Sequence, residues 1–142
     1  MEKLKLDLER LNKALKTLED SFGVMREAAK TGNMGFVFAA EDSTIQRFEY
    51  SYEMFWKLLK RYLEVMHHLE DIHSSRRVFH ASVKAELCTS NEGDIFLDMA
   101  DDRNETSHTY SVEASRVILS DIPRYYSAMI AVAQRLNEKL EK

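Results

Sequence analysis

LKLDLERLNKALKTLEDSFGVMREAA, residues 4–29, decides the fold. Leu4, Leu8, Leu11, Leu15, Leu18, Phe22, Met25 and Ala29 recur at alternating steps of four and three. That spacing puts them on one stripe of a long helix, the seam of a bundle. Gly23 sits inside the helix at a cost of about 1 kcal/mol relative to alanine, which burial of Phe22 and Met25 offsets. The stretch Thr31-Gly32-Asn33-Met34-Gly35 then breaks it.

A second helix is expected from Asp42 or Ser43, where Ser43 and Gln46 have capping-box spacing. It continues through Ile45, Phe48, Tyr52, Phe55, Leu59, Tyr62 and Met66, and Phe36-Val37-Phe38 ahead of it is apolar enough to pack as part of the connection. Tyr50, Trp56 and Leu63 lie off its narrow seam, so the helix buries either one broad core face or two sides, the second against another subunit. A shorter third helix fits Ser75 to about Leu87, with Val78, Phe79 and Val83 apolar. A turn over Cys88 to Glu92 follows, then a fourth helix from Gly93 to about Asn104 through Ile95, Phe96, Met99 and Ala100. The last helix starts with Ser111 as N-cap and carries Val112, Val117, Ile118, Ile122, Met129 and Leu136. Pro123, lacking an amide proton, predicts a kink or break near Ser120 to Ile122.

Composition agrees. The chain has 142 residues, 44% hydrophobic and 31% charged, with only four glycines and one proline, too few for the turns of an all-β protein. The expected class is all-α, a four- to five-helix antiparallel up-and-down bundle forming a single domain over residues 1–142. No apolar run approaches a membrane span, and Met1-Glu2-Lys3-Leu4 alternates charge with leucine instead of forming a signal core, so cytoplasmic residence without membrane contact is expected. Cys88 is the only cysteine and reads as a small apolar residue. A net charge of −4 argues against binding long nucleic acid through overall electrostatics, so any such contact is local. The basic groups Lys57, Lys60, Arg61 and Arg76, Arg77, Lys84 read first as solvated helix faces.

Chemistry concentrates in Asp101-Asp102-Arg103-Asn104-Glu105-Thr106-Ser107-His108-Thr109-Tyr110. Arginine is a permanently charged forked donor to phosphate oxygens, and histidine exchanges protons near neutral pH. On one straight helix, residues five apart are rotated by about 140°, so Arg103 and His108 work together only if the motif straddles a helix end. There, amides at a helix N-terminus would add to their attraction for an anion. The plainer reading pairs Arg103 with Asp98, Asp101 or Asp102 and leaves His108 to cap a turn. Asp94, Asp98, Asp101 and Asp102 follow helical spacing but offer fewer convergent ligands than a hard-metal cage needs, and His67, His68 and His73 read as exposed residues at a helix C-terminus. No metal or cofactor is expected. Cys88 has no evident activating base, no glycine-rich phosphate loop is present, and Tyr125 and Tyr126 read as core.

The pattern Arg103, Asn104, His108, Tyr110 resembles the signature of HEPN-domain proteins, specifically the branch of HepT toxins and nucleotidyltransferase substrate-binding proteins. IQRFEYSYEMFWKLLKRYLE, residues 45–64, resembles the second helix of that family, and Leu97 to Tyr110 matches continuously around the motif. The resemblance implies a homodimeric, metal-independent endoribonuclease in which His108 transfers protons and Arg103 stabilises charge; Asp102, placed to orient Arg103, and Asn104 are the expected supporting residues. It implies RNA as substrate. It also implies a partner minimal nucleotidyltransferase, the antitoxin, that adds AMP to Tyr110. The family's older name implies the alternative, a non-catalytic nucleotide- or substrate-binding subunit of that nucleotidyltransferase. The third helix of the family usually carries proline near its start, arginine midway and glycine at its end, where this chain has Ser75, His80 and Glu86.

Overall fold

In a computed structural model that describes residues 2–106 and 112–141, the chain forms five helices, with no strand among the described residues. They are α1 (Glu2–Thr31), α2 (Met34–His67), α3 (Ser75–Lys84), α4 (Ser90–Thr106) and α5 (Val112–Glu141). The all-α bundle expected from the periodicity is present.

On α1, Leu4, Leu8, Leu11, Leu15 and Leu18 are buried and Phe22 and Met25 pack against the core, while burial at the end of the stripe falls on Ala28 rather than Ala29. Ala14, Ser21 and Ala28, seven residues apart, form a flank of small side chains. Such residues let a neighbouring helix come close, and α2 presents its own buried Ala40, Thr44 and Ser51. Asp7 pairs with Arg61 at 3.2 Å and Thr17 shares a hydrogen bond with Tyr50 at 2.5 Å, which fixes the two helices as an antiparallel hairpin.

The hairpin turn is tighter than the sequence suggested. Gly32 takes φ 67° and ends α1, and the Asn33 side chain accepts from the Phe36 amide at 3.1 Å to cap α2 at once. The expected start at Asp42 or Ser43 is therefore wrong: asparagine is a better cap than its place in a breaker-rich stretch implied. Phe36 and Phe38 consequently stand on an exposed helical turn rather than in a packed connection, and the Arg116 guanidinium lies over the Phe38 ring at 5.7 Å.

α2 contacts each of the other four helices. It buries Phe48, Tyr52, Phe55, Leu58, Leu59, Tyr62 and Leu63, whereas Trp56 is half-buried and Tyr50 exposed. Phe55, Phe79 and Phe96 meet at centroid distances of 4.8 to 6.2 Å, joining α2, α3 and α4. Phe48 stacks on Tyr125 at 5.9 Å and brings in α5.

Seven residues, His68 to Ser74, separate α2 from α3, yet Ser75 meets Tyr52, four turns back from the end of α2. Fifteen helical residues rise about 22 Å, a distance seven extended residues just cover. The linker thus carries α3 back alongside α2 and sets its first turn against the middle of the bundle. His68 and Asp71 adopt φ 55° and 60° on the way.

α4 starts at Ser90, not Gly93. A reciprocal box of Thr89 and Glu92 caps it: each amide donates to the other's side chain, at 2.8 and 3.0 Å. α3 stops at Lys84, short of the expected Leu87, and the amides of Leu87 and Cys88 both donate to the Ser82 carbonyl. α5 runs through Pro123 without a break, with the proline at an exposed position of the helix. Ile118, Ile122, Met129 and Leu136 are buried as expected, but Val117 is 65% exposed. The proposed N-cap Ser111 and the side chain of Val112 lie outside the described residues. No described helix is long and apolar enough to cross a membrane.

Candidate functional site

The position of α4 is set at its start. Arg135 of α5 grips Glu92 with two hydrogen bonds, 2.9 and 3.2 Å, and donates to the Leu87 carbonyl at 2.7 Å. Burial raises the Glu92 carboxyl, but the bonds from Arg135 and Thr89 outweigh it and hold the group below the usual carboxylate range. From this anchored end α4 runs antiparallel to α5, with Asp98 paired to Arg124 at 3.5 Å and Asp102 accepting from the Tyr125 hydroxyl at 2.5 Å.

Its last two turns form one wall of a polar groove of about 390 Å³. Asp101, Arg103 and Asn104 line that wall, Tyr52 and Glu53 of α2 the floor, and Ser74, Ser75 and Arg76 of the α3 first turn the opposite side. The Tyr52 hydroxyl donates to Ser75 Oγ at 2.5 Å, pinning α3 to α2. Ser74 caps α3 by accepting from the Arg77 amide at 3.2 Å, so the N-terminus of α3 borders the groove and favours negative charge there.

Arg103 enters this groove and pairs with Glu49 of α2 at 3.1 Å, both side chains about a quarter exposed. Its partner is thus a carboxylate 54 positions away in sequence, not the neighbouring Asp98, Asp101 or Asp102. Asp102 faces α5 instead of orienting Arg103. Burial pushes its carboxyl above the ordinary range; the Tyr125 bond opposes this, and the negative Asp121 and Asp98 add to it. Asp101 forms an ion pair with Arg76 across the groove. Asn104 is exposed on the groove rim. His108 and Tyr110 lie outside the described residues.

Glu49, the partner of Arg103, and the groove residues Tyr52 and Arg76 escaped the sequence reading of the site. Glu49 and Tyr52, three apart on α2, share the face turned to α3 and α4, but only the fold reveals what that face meets. Arg76 read as one of a solvated cluster; the return of the linker makes it a groove residue, while neighbouring Arg77 reaches the Asp71 carbonyl at 3.5 Å.

The other candidates disperse. Asp94 lines a separate α3–α4 groove, and the carboxylates of Asp98, Asp101 and Asp102 go to Arg124, Arg76 and Tyr125. No group of three or more ligand-type side chains suited to a metal occurs among the described residues. Cys88 is buried, and burial together with nearby Glu92 pushes its thiol up to about 12, which disfavours the thiolate. Tyr125 is buried and Tyr126 packs edge-on to Phe22 at 5.7 Å, its hydroxyl donating to Glu19.

No curated protein matches the chain. A protein of Thermus thermophilus, known as a crystal structure, is 33% identical with a TM-score of 0.66, covering 84% of this chain and 98% of its own. The tri-AMPylated Shewanella oneidensis HEPN toxin, solved in complex with its MNT antitoxin, aligns with a TM-score of 0.75 at 15% identity over 95% of this chain and 96% of the toxin. A toxin–antitoxin structure with AMP-PNP aligns at 0.77 with 14% identity, over 97% and 99% of the two chains. At such identities the likeness is one of fold. The family described as nucleotidyltransferase substrate binding protein like matches residues 6–140, nearly the whole chain. The chain therefore belongs to that nucleotidyltransferase substrate-binding-protein-like family, and its helical fold is shared with the Shewanella oneidensis HEPN toxin.

Proposed function

We propose that this chain is the HepT-like toxin of a toxin–antitoxin pair with a minimal nucleotidyltransferase, acting as a metal-independent endoribonuclease. The observation that carries the reading is Arg103 standing in a polar groove beside the N-terminus of α3, in a chain of this family and five residues before His108. A ribose 2′-hydroxyl attacks the adjacent phosphorus while His108 takes its proton. The O2′–P bond forms, the P–O5′ bond breaks, and the leaving 5′-oxygen receives a proton. Arg103 stabilises the extra negative charge on the phosphoryl oxygens of the transition state, and the helix amides reinforce it. Tyr110 is the acceptor for AMP from the partner. The added phosphate is drawn to the same cations and blocks the groove. Two copies form the working unit, as the family resemblance implies.

One observation favours the alternative of a non-catalytic binding subunit: Arg103 already holds Glu49 at 3.1 Å, and a guanidinium engaged in this way suits static anchoring of a ligand. The deciding experiment incubates purified protein with RNA in excess chelator. Cleavage that vanishes in His108→Ala supports the nuclease; intact RNA together with tight nucleotide binding establishes the binding subunit instead.

A further inference from the structure

Arg76 and Arg103 reach one groove from different helices, and their carboxylate partners hold them differently. Arg103 and Glu49 are 23% and 29% exposed, whereas Arg76 and Asp101 are 51% and 64% exposed. An ion pair so open to water contributes little to stability, since screening and side-chain entropy cancel most of its attraction. A phosphate group offers the same guanidinium a full charge and two oxygens in matching fork geometry. The Arg76 backbone is fixed for that exchange, because Tyr52 bonds Ser75 at 2.5 Å and Ser74 caps the turn. Arg76 is the second residue of a ten-residue helix whose positive end borders the groove, so helix and side chain favour the same ligand. Glu53, the remaining acid of the groove lining, is engaged by the Trp56 indole at 3.2 Å and by Lys57 at 3.5 Å.

We infer that Arg76 is a second phosphate-binding residue of this groove, gripping a neighbouring phosphodiester of a single-stranded RNA, and that Asp101 is the carboxylate the phosphate displaces. The inference rests on the proposed reading that the groove receives RNA. An open cleft with cations on two walls suits successive phosphates of a strand better than one enclosed nucleotide. Asp101 then acts as a competitor built into the site, setting how strongly the backbone must bind before Arg76 is released to it.

The test measures fluorescence anisotropy of a labelled 2′-O-methyl oligoribonucleotide, which cannot undergo attack by its own 2′-oxygen, across a salt series. In Arg76→Ala binding weakens severalfold and the slope of log K against log salt becomes shallower by about 0.7, the value for one single-strand phosphate contact. Arg76→Lys restores the slope because it restores the charge. Asp101→Asn tightens binding severalfold, a direction that a merely structural ion pair would not give. Thermal melts of each variant verify the fold. An unchanged slope in Arg76→Ala, weaker binding in Asp101→Asn, or binding of AMP but of no oligonucleotide overturns the inference. Arg76-dependent binding without cleavage of unmodified RNA leaves it standing and removes the nuclease reading alone; cleavage with no Arg76 dependence does the reverse.

Discussion

Glu86 holds φ 61°, a left-handed conformation that costs a side-chain-bearing residue roughly 1–2 kcal/mol, while glycine adopts it freely at a smaller entropic cost. Glu86→Gly is expected to raise stability by about 0.5–1 kcal/mol in urea melts, and a lower midpoint would show that the Glu86 side chain makes a compensating contact. Gly93 is the opposite case. A Cβ there would stand 2.5 Å from Val83 Cγ2, so Gly93→Ala should overpack the α3–α4 contact and destabilise by about 1–3 kcal/mol. Asp102 gives a prediction in pH. Its carboxyl is raised in the fold above its unfolded value, so keeping it ionised opposes folding at neutral pH, and this penalty disappears as pH falls through the raised value. Asp102→Asn retains an acceptor for Tyr125 and should melt higher than wild type at pH 7, the gap closing toward pH 4; a lower melting point at pH 7 would show that the charged hydrogen bond dominates.

Among the elements, α4 depends most on one contact. Glu92 closes the capping box with Thr89 and receives both arms of Arg135, so a single carboxylate ties the start of α4 to the far end of α5. Glu92→Gln should cost on the order of 2 kcal/mol, as expected for charge-assisted hydrogen bonds. Because the Glu92 value is depressed in the fold, its contribution is fully present above its unfolded value of about 4.3 and is lost as pH falls through the folded value. The difference between wild type and variant should therefore shrink on acidification, and a difference constant down to pH 3 would contradict this. The element scale also shows how far the sequence was legible. Leucines on a strict stripe announced α1, since burial of a repeating face is what a linear pattern records. The starts of α2 and α4 were displaced because caps depend on single hydrogen bonds: Asn33 to Phe36, and Thr89 with Glu92. Arg103 stood out by its residue type and motif. Glu49, by contrast, reaches it through tertiary packing that no local spacing encodes.

Across the whole molecule, α2 is the shared partner of all other helices, while α3 has ten residues and stays in place through Phe79 and the Tyr52–Ser75 bond. Tyr52→Phe removes that bond while keeping the ring, so it should loosen α3 and weaken binding in the groove with a global stability loss of only about 1 kcal/mol. Calorimetry paired with oligonucleotide binding would check this, and a large global loss with unchanged binding would contradict it. A ten-residue helix is too short to persist alone, since isolated helices under about 12–15 residues are marginal in water. Its backbone amides should therefore exchange with deuterium through local opening, well ahead of those between Phe55 and Leu63, which wait for global unfolding. The α3 side of the groove is thus held by fewer contacts than the α2 core behind it, and a partner or nucleic acid that grips it would register first as slowed exchange over residues 75–84.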